Sequence, residues 1–385
     1  MMVFVALYAA IYGAFGVASP FWPRFFEERG LSPQEIGALL GLGTLVRLIS
    51  GPIVGRLADA AGELRAALAL CMMFAAASAT SLLLAGAFWT LLLIHLMQAA
   101  ALAPITSIAD ALAIGAARRN SFEYGRIRGT GSAVFVVGTL TAGALLGGAD
   151  ISIIVWMHTA LLAVGAATVL WLSRPDVQPV RQIGSPTVLI GGLRELWSIA
   201  TFRSLMIVAA LVYGSHAVHD AFAVIRWHNA GIGPAATSVL WSEAVIAEVI
   251  VFFVIGPALI DRLGTNGAAA LAAAAGVVRW CVAGTTTSVV ALAIVQPLHG
   301  LTFALLHLVC MRLIGMVAPP RLAATGQALY AFGAGLATAT LMLVSGPFYA
   351  AYGGAAFLPM ALLCALAVPL AWSGLRSPGS KAVTP

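Results

Sequence analysis

Asp110 and Arg128 stand eighteen positions apart, on either side of the polar stretch "ARRNSFEYGR", and both lie in otherwise apolar sequence. An acid and a guanidinium in such surroundings can fix two helices as an ion pair. They can also grip a ligand, because the guanidinium offers a planar fork of donors to a carboxylate or to vicinal hydroxyls. Glu248, Arg279 and His299 form a second set: an acid, a cation and a titratable imidazole, the types that bind and release a proton. Glu243 and Asp220 are the next candidates for the acid. His216, His219 and Asp220, at i, i+3 and i+4, share one helical face. They suit a gate or a second proton site, and equally a hydrogen-bonded cluster in the core. Arg47 has no acid near it in sequence, so it faces a cavity or pairs across helices. His95, His158 and His307 read as satisfied packing residues. The histidines lack third and fourth ligands nearby, so no metal site is expected, and no cofactor is implied. HExxH and GxSxG motifs are absent, which argues against the other class considered, a membrane enzyme.

The elements that must position these groups follow from composition. The chain has 385 residues, 61% hydrophobic and 9% charged. A soluble domain carries about 25% charged residues, so this is an all-α integral membrane protein. The net charge of +6 comes from arginines scattered over many short loops, which bears on orientation and gives no patch for nucleic acid. Cys71, Cys281, Cys310 and Cys364 each sit alone in apolar sequence and read as core residues. The N-terminal "VFVALYAAIYGAFGVASPFW" has no basic n-region, and reads as a retained first helix.

A bilayer core takes about 20 apolar residues per helical crossing. Twelve runs meet that length, near 3-23, 35-55, 66-86, 89-115, 127-148, 152-172, 203-225, 236-258, 267-285, 289-314, 325-347 and 354-373. The one long polar interval, 173-196, divides them six and six. This gives an N-terminal bundle over 1-173, a cytoplasmic linker over 174-202 and a C-terminal bundle over 203-385. With both termini inside, fifteen of the twenty Arg and Lys residues fall on the cytoplasmic side. Three, Arg24, Arg29 and Arg226, fall outside, while Arg47 and Arg279 are mid-helix. If the turn is centred near Asn120, Asp110 and Arg128 are each about 12 to 15 Å deep on adjacent antiparallel helices, where they can meet. Unpaired charges at that depth are costly, so each needs a mate or a function.

The halves echo each other. Tyr12-Gly13 recurs as Tyr213-Gly214 and Gly30-x-x-Pro33 as Gly231-x-x-Pro234, both at a spacing of 201, and Asp59-x-x-Gly62 recurs as Asp261-x-x-Gly264 at 202. Such a parallel repeat suits a transporter whose bundles rock about a central site. Phe21, Trp22, Trp227, Trp241 and Trp280 are expected mostly near the membrane faces, although Trp280, beside Arg279, and Phe135, two turns beyond Arg128, could flank a phenyl ring.

"GRLADAAGELR", with Gly55, Asp59, Gly62 and Arg65, resembles the signature loop of the major facilitator superfamily, with Ala60 where a basic residue is usual. That resemblance implies twelve transmembrane helices in two six-helix bundles, alternating access, and a gating loop in which glycines turn the chain and Asp59 bonds a neighbouring helix end. The Asp110 and Arg128 pair resembles the substrate-gripping carboxylate and arginine of the lactose permease branch. Arg279 and His299 match an arginine and a histidine of that branch, but Thr302 replaces the acid one turn beyond, so Glu248 takes its place as the candidate proton carrier. "SPFW", "YGRIRGTGS", "AEVIVF", "GVVRW" and "QPLHGLTFALLHL" resemble the bacterial 3-phenylpropionic acid transporters. The resemblance implies proton-coupled symport of a small organic anion across a bacterial inner membrane by a chain working as a monomer. A sugar or nucleoside symporter is the alternative. Drug efflux ranks lower, since the fifth helix lacks the Gly-Pro of the antiporters.

Overall fold

The computed structural model describes residues 1-120, 122-172 and 186-376. Ser121, Arg174, Arg181, Lys381 and the first part of the expected linker lie outside the described residues. Each of the twelve apolar runs is helical. In the first half, α1 (Met2–Ala18) bends by 46° into α2 (Trp22–Glu28), followed by α3 (Pro33–Ala61) and α4 (Leu64–Ser81). Then come α5 (Phe88–Leu102) and α6 (Ile105–Asn120), α7 (Tyr124–Leu145) and α8 (Ser152–Val169). Ser32 and Glu35 cap the start of α3 reciprocally, with Pro33 in its first turn. Pro104, which has no N–H to give a preceding turn, stands at the break between α5 and α6.

The second half runs α9 (Pro186–Ser198), α10 (Ala200–Gly214), α11 (Ala217–Asn229), α12 (Pro234–Ile250) and a π-helical turn Val251–Ile255. It continues through α13 (Gly256–Thr285), α14 (Val289–Val295), a second π-helical segment Gly300–Leu305, α15 (Leu306–Val317), α16 (Ala323–Tyr352) and α17 (Leu358–Gly374). Part of the expected linker is therefore the helix α9. Its Leu196 is fully buried, and its Glu195 carboxylate takes Arg321 Nη2 at 2.7 Å on both oxygens.

Among the described residues, eight helical stretches are long and apolar enough to cross a membrane, or nine if α1 and α2 count as one. Two of them, Pro234–Thr285 with 52 residues and Pro320–Gly374 with 55, exceed twice the length of one crossing. The sequence repeat has a direct backbone counterpart. Gly30 and Gly231 have φ of 82° and 83°, and Gly62 and Gly264 have φ of 69° and 70°, left-handed values open to glycine at little cost. Pro33 and Pro234 then open α3 and α12.

The chain forms two compact units, the described residues of Met1–Arg181 with Val224–Ser242, and those of Gln182–Ala223 with Glu243–Pro385. In lipid, helices gain little from apolar burial as such, and close contact through small residues matters more. In the first unit α1 meets α7 so closely that a Cβ on Gly16 would stand 2.1 Å from the Phe135 carbonyl oxygen, and Thr139 Oγ1 donates to the Gly16 carbonyl at 2.8 Å. Of the aromatics expected mostly near the membrane faces, Phe21, Trp22, Trp227 and Trp280 are buried and Trp241 is half-buried. The tryptophans exposed on the surface are Trp89, Trp156, Trp171, Trp197 and Trp372.

Candidate functional site

The first unit builds its site along one face of α1. Tyr8, Tyr12 and Phe15, at i, i+4 and i+7, form an aromatic ladder with ring centroids 5.8 Å and then 6.0 Å apart. At one end the Tyr8 hydroxyl donates to Asp110 Oδ1, and the Tyr124 hydroxyl donates to the same oxygen at 2.8 Å. The Arg128 guanidinium lies over the Tyr12 ring, 4.6 Å from its centroid. Asp110 and Arg128, expected to meet, form no ion pair or hydrogen bond with each other among the described residues. Asp110 is bonded by two tyrosines, and Arg128 is turned onto a ring face.

At the other end of the ladder Phe15 enters a cavity of about 390 Å³. Arg47 reaches it from α3, Trp22 from α2, Phe135 from α7 and His158 from α8, while Thr106 stands at the start of α6 beside the break. Arg47 faces a cavity, one of the two placements expected of it, and none of the described residues forms an ion pair with it. His158 is satisfied, as expected for a packing residue. Its Nδ1 lies 2.9 Å from the Ala14 carbonyl and must carry the hydrogen, while Nε2 lies 3.4 Å from Gln98 Nε2. It nonetheless lines this cavity.

The second unit holds Arg279, which is 1% exposed. Its Nη1 is 3.1 Å from His299 Nδ1, its Nη2 donates to Gln296 Oε1 at 3.3 Å, and its guanidinium lies 4.5 Å from the Trp280 ring centroid. A guanidinium only donates, so His299 Nδ1 is the acceptor and the imidazole hydrogen sits on Nε2. That nitrogen is 3.6 Å from Glu248 Oε2. The order is therefore cation, imidazole, acid. Gly300 makes it possible, because a Cβ there would lie 2.6 Å from the Ala247 carbonyl oxygen; α12 and the π-helical segment approach closely just where Glu248 and His299 project. π-helical segments often mark functional sites.

His216, in the turn before α11, has Nδ1 3.0 Å from the Val212 carbonyl and Nε2 3.0 Å from Thr302 Oγ1. His219 Nδ1 lies 3.3 Å from Asp220 Oδ1. Thr302, which stands where the related branch has an acid, thus ties His216 into the network. Glu243 Oε1 is buried without a partner among the described residues. His307 bonds Tyr330 at 3.1 Å, and Tyr330 donates to Tyr213 at 2.9 Å.

The gating loop differs from expectation in how its parts are used. Gly62 makes the turn, but Gly55 lies inside α3 with open space around it. Asp59 is exposed, and its side chain bonds nothing among the described residues. Arg65 is the residue that bonds a neighbouring helix end, as had been expected of Asp59. Its Nε and Nη2 donate to the Val169 carbonyl at 3.3 and 3.2 Å, and Nη2 to Leu170 at 2.9 Å, capping the C-terminal end of α8. In the second unit the matching Asp261 pairs with Arg312 at 2.6 Å.

Sequence reasoning missed Tyr8, Tyr124, Thr106 and Gln296, and used Tyr12 only as part of the repeat. The available signal was the spacing of Tyr8, Tyr12 and Phe15 on one helical face, which an ordinary packing stripe shares.

The model of the MFS_1 like family matches residues 2-359. The chain is 31% identical over 370 residues to a probable 3-phenylpropionic acid transporter of Escherichia coli, covering 92% of this chain and 93% of that one. It is 27% identical to a maltose permease of Geobacillus stearothermophilus, covering 89% and 86%. Its fold is similar to that of the nucleoside transporter NupG, with a TM-score of 0.84 at 16% identity over 97% of each chain.

Proposed function

The chain belongs to the MFS_1 like family and is a membrane transporter rather than an enzyme, and from that premise we propose that it carries a small aromatic carboxylate inward together with a proton. The observation that carries this reading is the line Arg279, His299, Glu248 inside a membrane-embedded unit. A half-buried acid facing an imidazole whose other nitrogen is held by a fixed cation has the parts needed to take up and release a proton as substrate moves. Asp220, on α11, and Glu243, five residues before Glu248 on α12, stand in reserve. Substrate contacts come from the first unit, from Asp110, Arg128 and Arg47. The chain resides in a bacterial inner membrane with both termini cytoplasmic, and works as a monomer; the excess of arginine on one set of loops supports the orientation.

The similarity to a probable 3-phenylpropionic acid transporter supports the substrate class. Sugar or nucleoside symport is the second reading, supported by the 27% identity to a maltose permease. Uptake of labelled 3-phenylpropionate by cells, with and without an uncoupler and with lactose or nucleoside competitors, tests both. Uncoupler-sensitive uptake that sugars and nucleosides do not compete is expected. Arg128→Ala abolishes accumulation, whereas Glu248→Gln abolishes uphill accumulation and retains exchange. Normal accumulation by both variants would overturn the site assignment.

A further inference from the structure

The cavity at Arg47 has a composition that selects among the candidate substrates, and here the function proposed above is taken as the starting point. Its volume of about 390 Å³ falls in the range of small-molecule sites, roughly 300–1,000 Å³. Among the described residues, Arg47 is the one charged residue in its lining, and none supplies a counter-ion. His158 is neutral as bonded, because Nδ1–H donates to the Ala14 carbonyl and Nε2 faces the Gln98 amide nitrogen, a donor. Arg47 is exposed to the cavity, and no described carboxylate competes for its guanidinium. An anion that enters can therefore take its fork of donors.

The rest of the lining says which anion. Phe15, Trp22 and Phe135 bring three aromatic rings from three helices. The neutral polar groups are few: the hydroxyls of Ser19 and Thr106, neither engaged by a described residue, and the satisfied His158. Among the described residues, the lining includes no Asn, Gln, Asp or Glu, the types that would read the many hydroxyls of a sugar or the base edge of a nucleoside. We propose that this cavity is the seat of a monocarboxylate bearing an aromatic ring, with Arg47 holding the carboxylate, Ser19 or Thr106 completing its hydrogen bonds, and Phe15, Trp22 and Phe135 enclosing the ring. Arg47, rather than Arg128, then decides acid against neutral ligand. Arg128 is seven residues before Phe135, about 10 Å along α7, and does not line the cavity.

The test is equilibrium binding to the purified full-length protein in lipid nanodiscs, with three probes: 3-phenylpropionate, the uncharged 3-phenylpropan-1-ol and the ring-free hexanoate. The wild type should prefer 3-phenylpropionate to both others. Arg47→Gln should weaken 3-phenylpropionate by about 10–100-fold and leave the alcohol unchanged, as expected for loss of a charge-assisted fork, and Arg47→Lys should fall between. Phe135→Leu should cut the preference over hexanoate by about tenfold and keep the preference over the alcohol. If the wild type binds the acid and a well-folded Arg47→Gln binds it equally, or if Arg128→Gln alone removes acid selectivity, the cavity assignment falls while organic-anion transport stands. If the wild type binds neither carboxylate, both fall together. Should Arg47→Gln misfold, Arg47→Lys and Phe135→Leu still decide, since wild-type selectivity in both would overturn the proposal.

Discussion

Two tyrosine hydroxyls converge on a single oxygen of Asp110, and this arrangement has a measurable signature. Removing one donor leaves the other in place; removing both leaves a carboxylate among apolar helices without its bonds. Tyr8→Phe and Tyr124→Phe should each cost about 1 kcal/mol, and the double variant should cost more than their sum. Thermal unfolding of the four proteins checks this, and strictly additive losses would mean that the two hydroxyls act independently. The sequence made Asp110 and Arg128 conspicuous because charge in an apolar run is rare, and depth counting put them at similar levels. It could not show that they ignore each other. Their depths come from helix rise alone, whereas their partners depend on where Tyr8 and Tyr12 of a different helix point.

At the level of the helix, the contact between His299 and Glu248 depends on a residue that has no side chain. A Cβ on Gly300 would press on the backbone of Ala247, which cannot swing aside as a side chain would. Gly300→Ala should therefore separate the two helices and abolish uphill accumulation of substrate. Gly315→Ala, in α15 where an added Cβ meets nothing within 4 Å, should transport as the wild type does. Uptake assays on the pair, normalised to protein in the membrane, check the difference; equal transport by both would show that the close approach is not needed. Apolar run length revealed the helices themselves. The break at Pro104, the bend between α1 and α2 and the two π-helical segments were not legible, because they depend on neighbouring helices as well as on local sequence. α9 escaped notice for a related reason: it is short and lies in a stretch rich in proline and charge, and its apolar face is recognisable once Leu196 is seen packed in the second unit.

For the whole molecule, the asymmetry of arginine fixes a falsifiable orientation. In a background lacking the native cysteines, Asp150→Cys in the turn before α8 should react with an impermeant maleimide added outside intact cells, and Glu63→Cys in the loop after α3 should not. The reverse pattern would invert the topology. The duplicated plan was the most legible feature of the sequence, since two of its three echoes fall on turns whose left-handed φ is open to few residues other than glycine. What the sequence could not reveal is that the matching turns are fastened differently. Arg65 is bonded to backbone carbonyls at the end of α8, whereas Asp261 and Arg312 form an exposed ion pair. Dissolved salt screens an exposed pair of full charges more than it weakens hydrogen bonds from one charge to the carbonyls of a helix end. Ionic strength thus becomes a control that loosens one copy of the repeated turn more than the other, so a molecule built from two similar halves need not respond to its surroundings symmetrically.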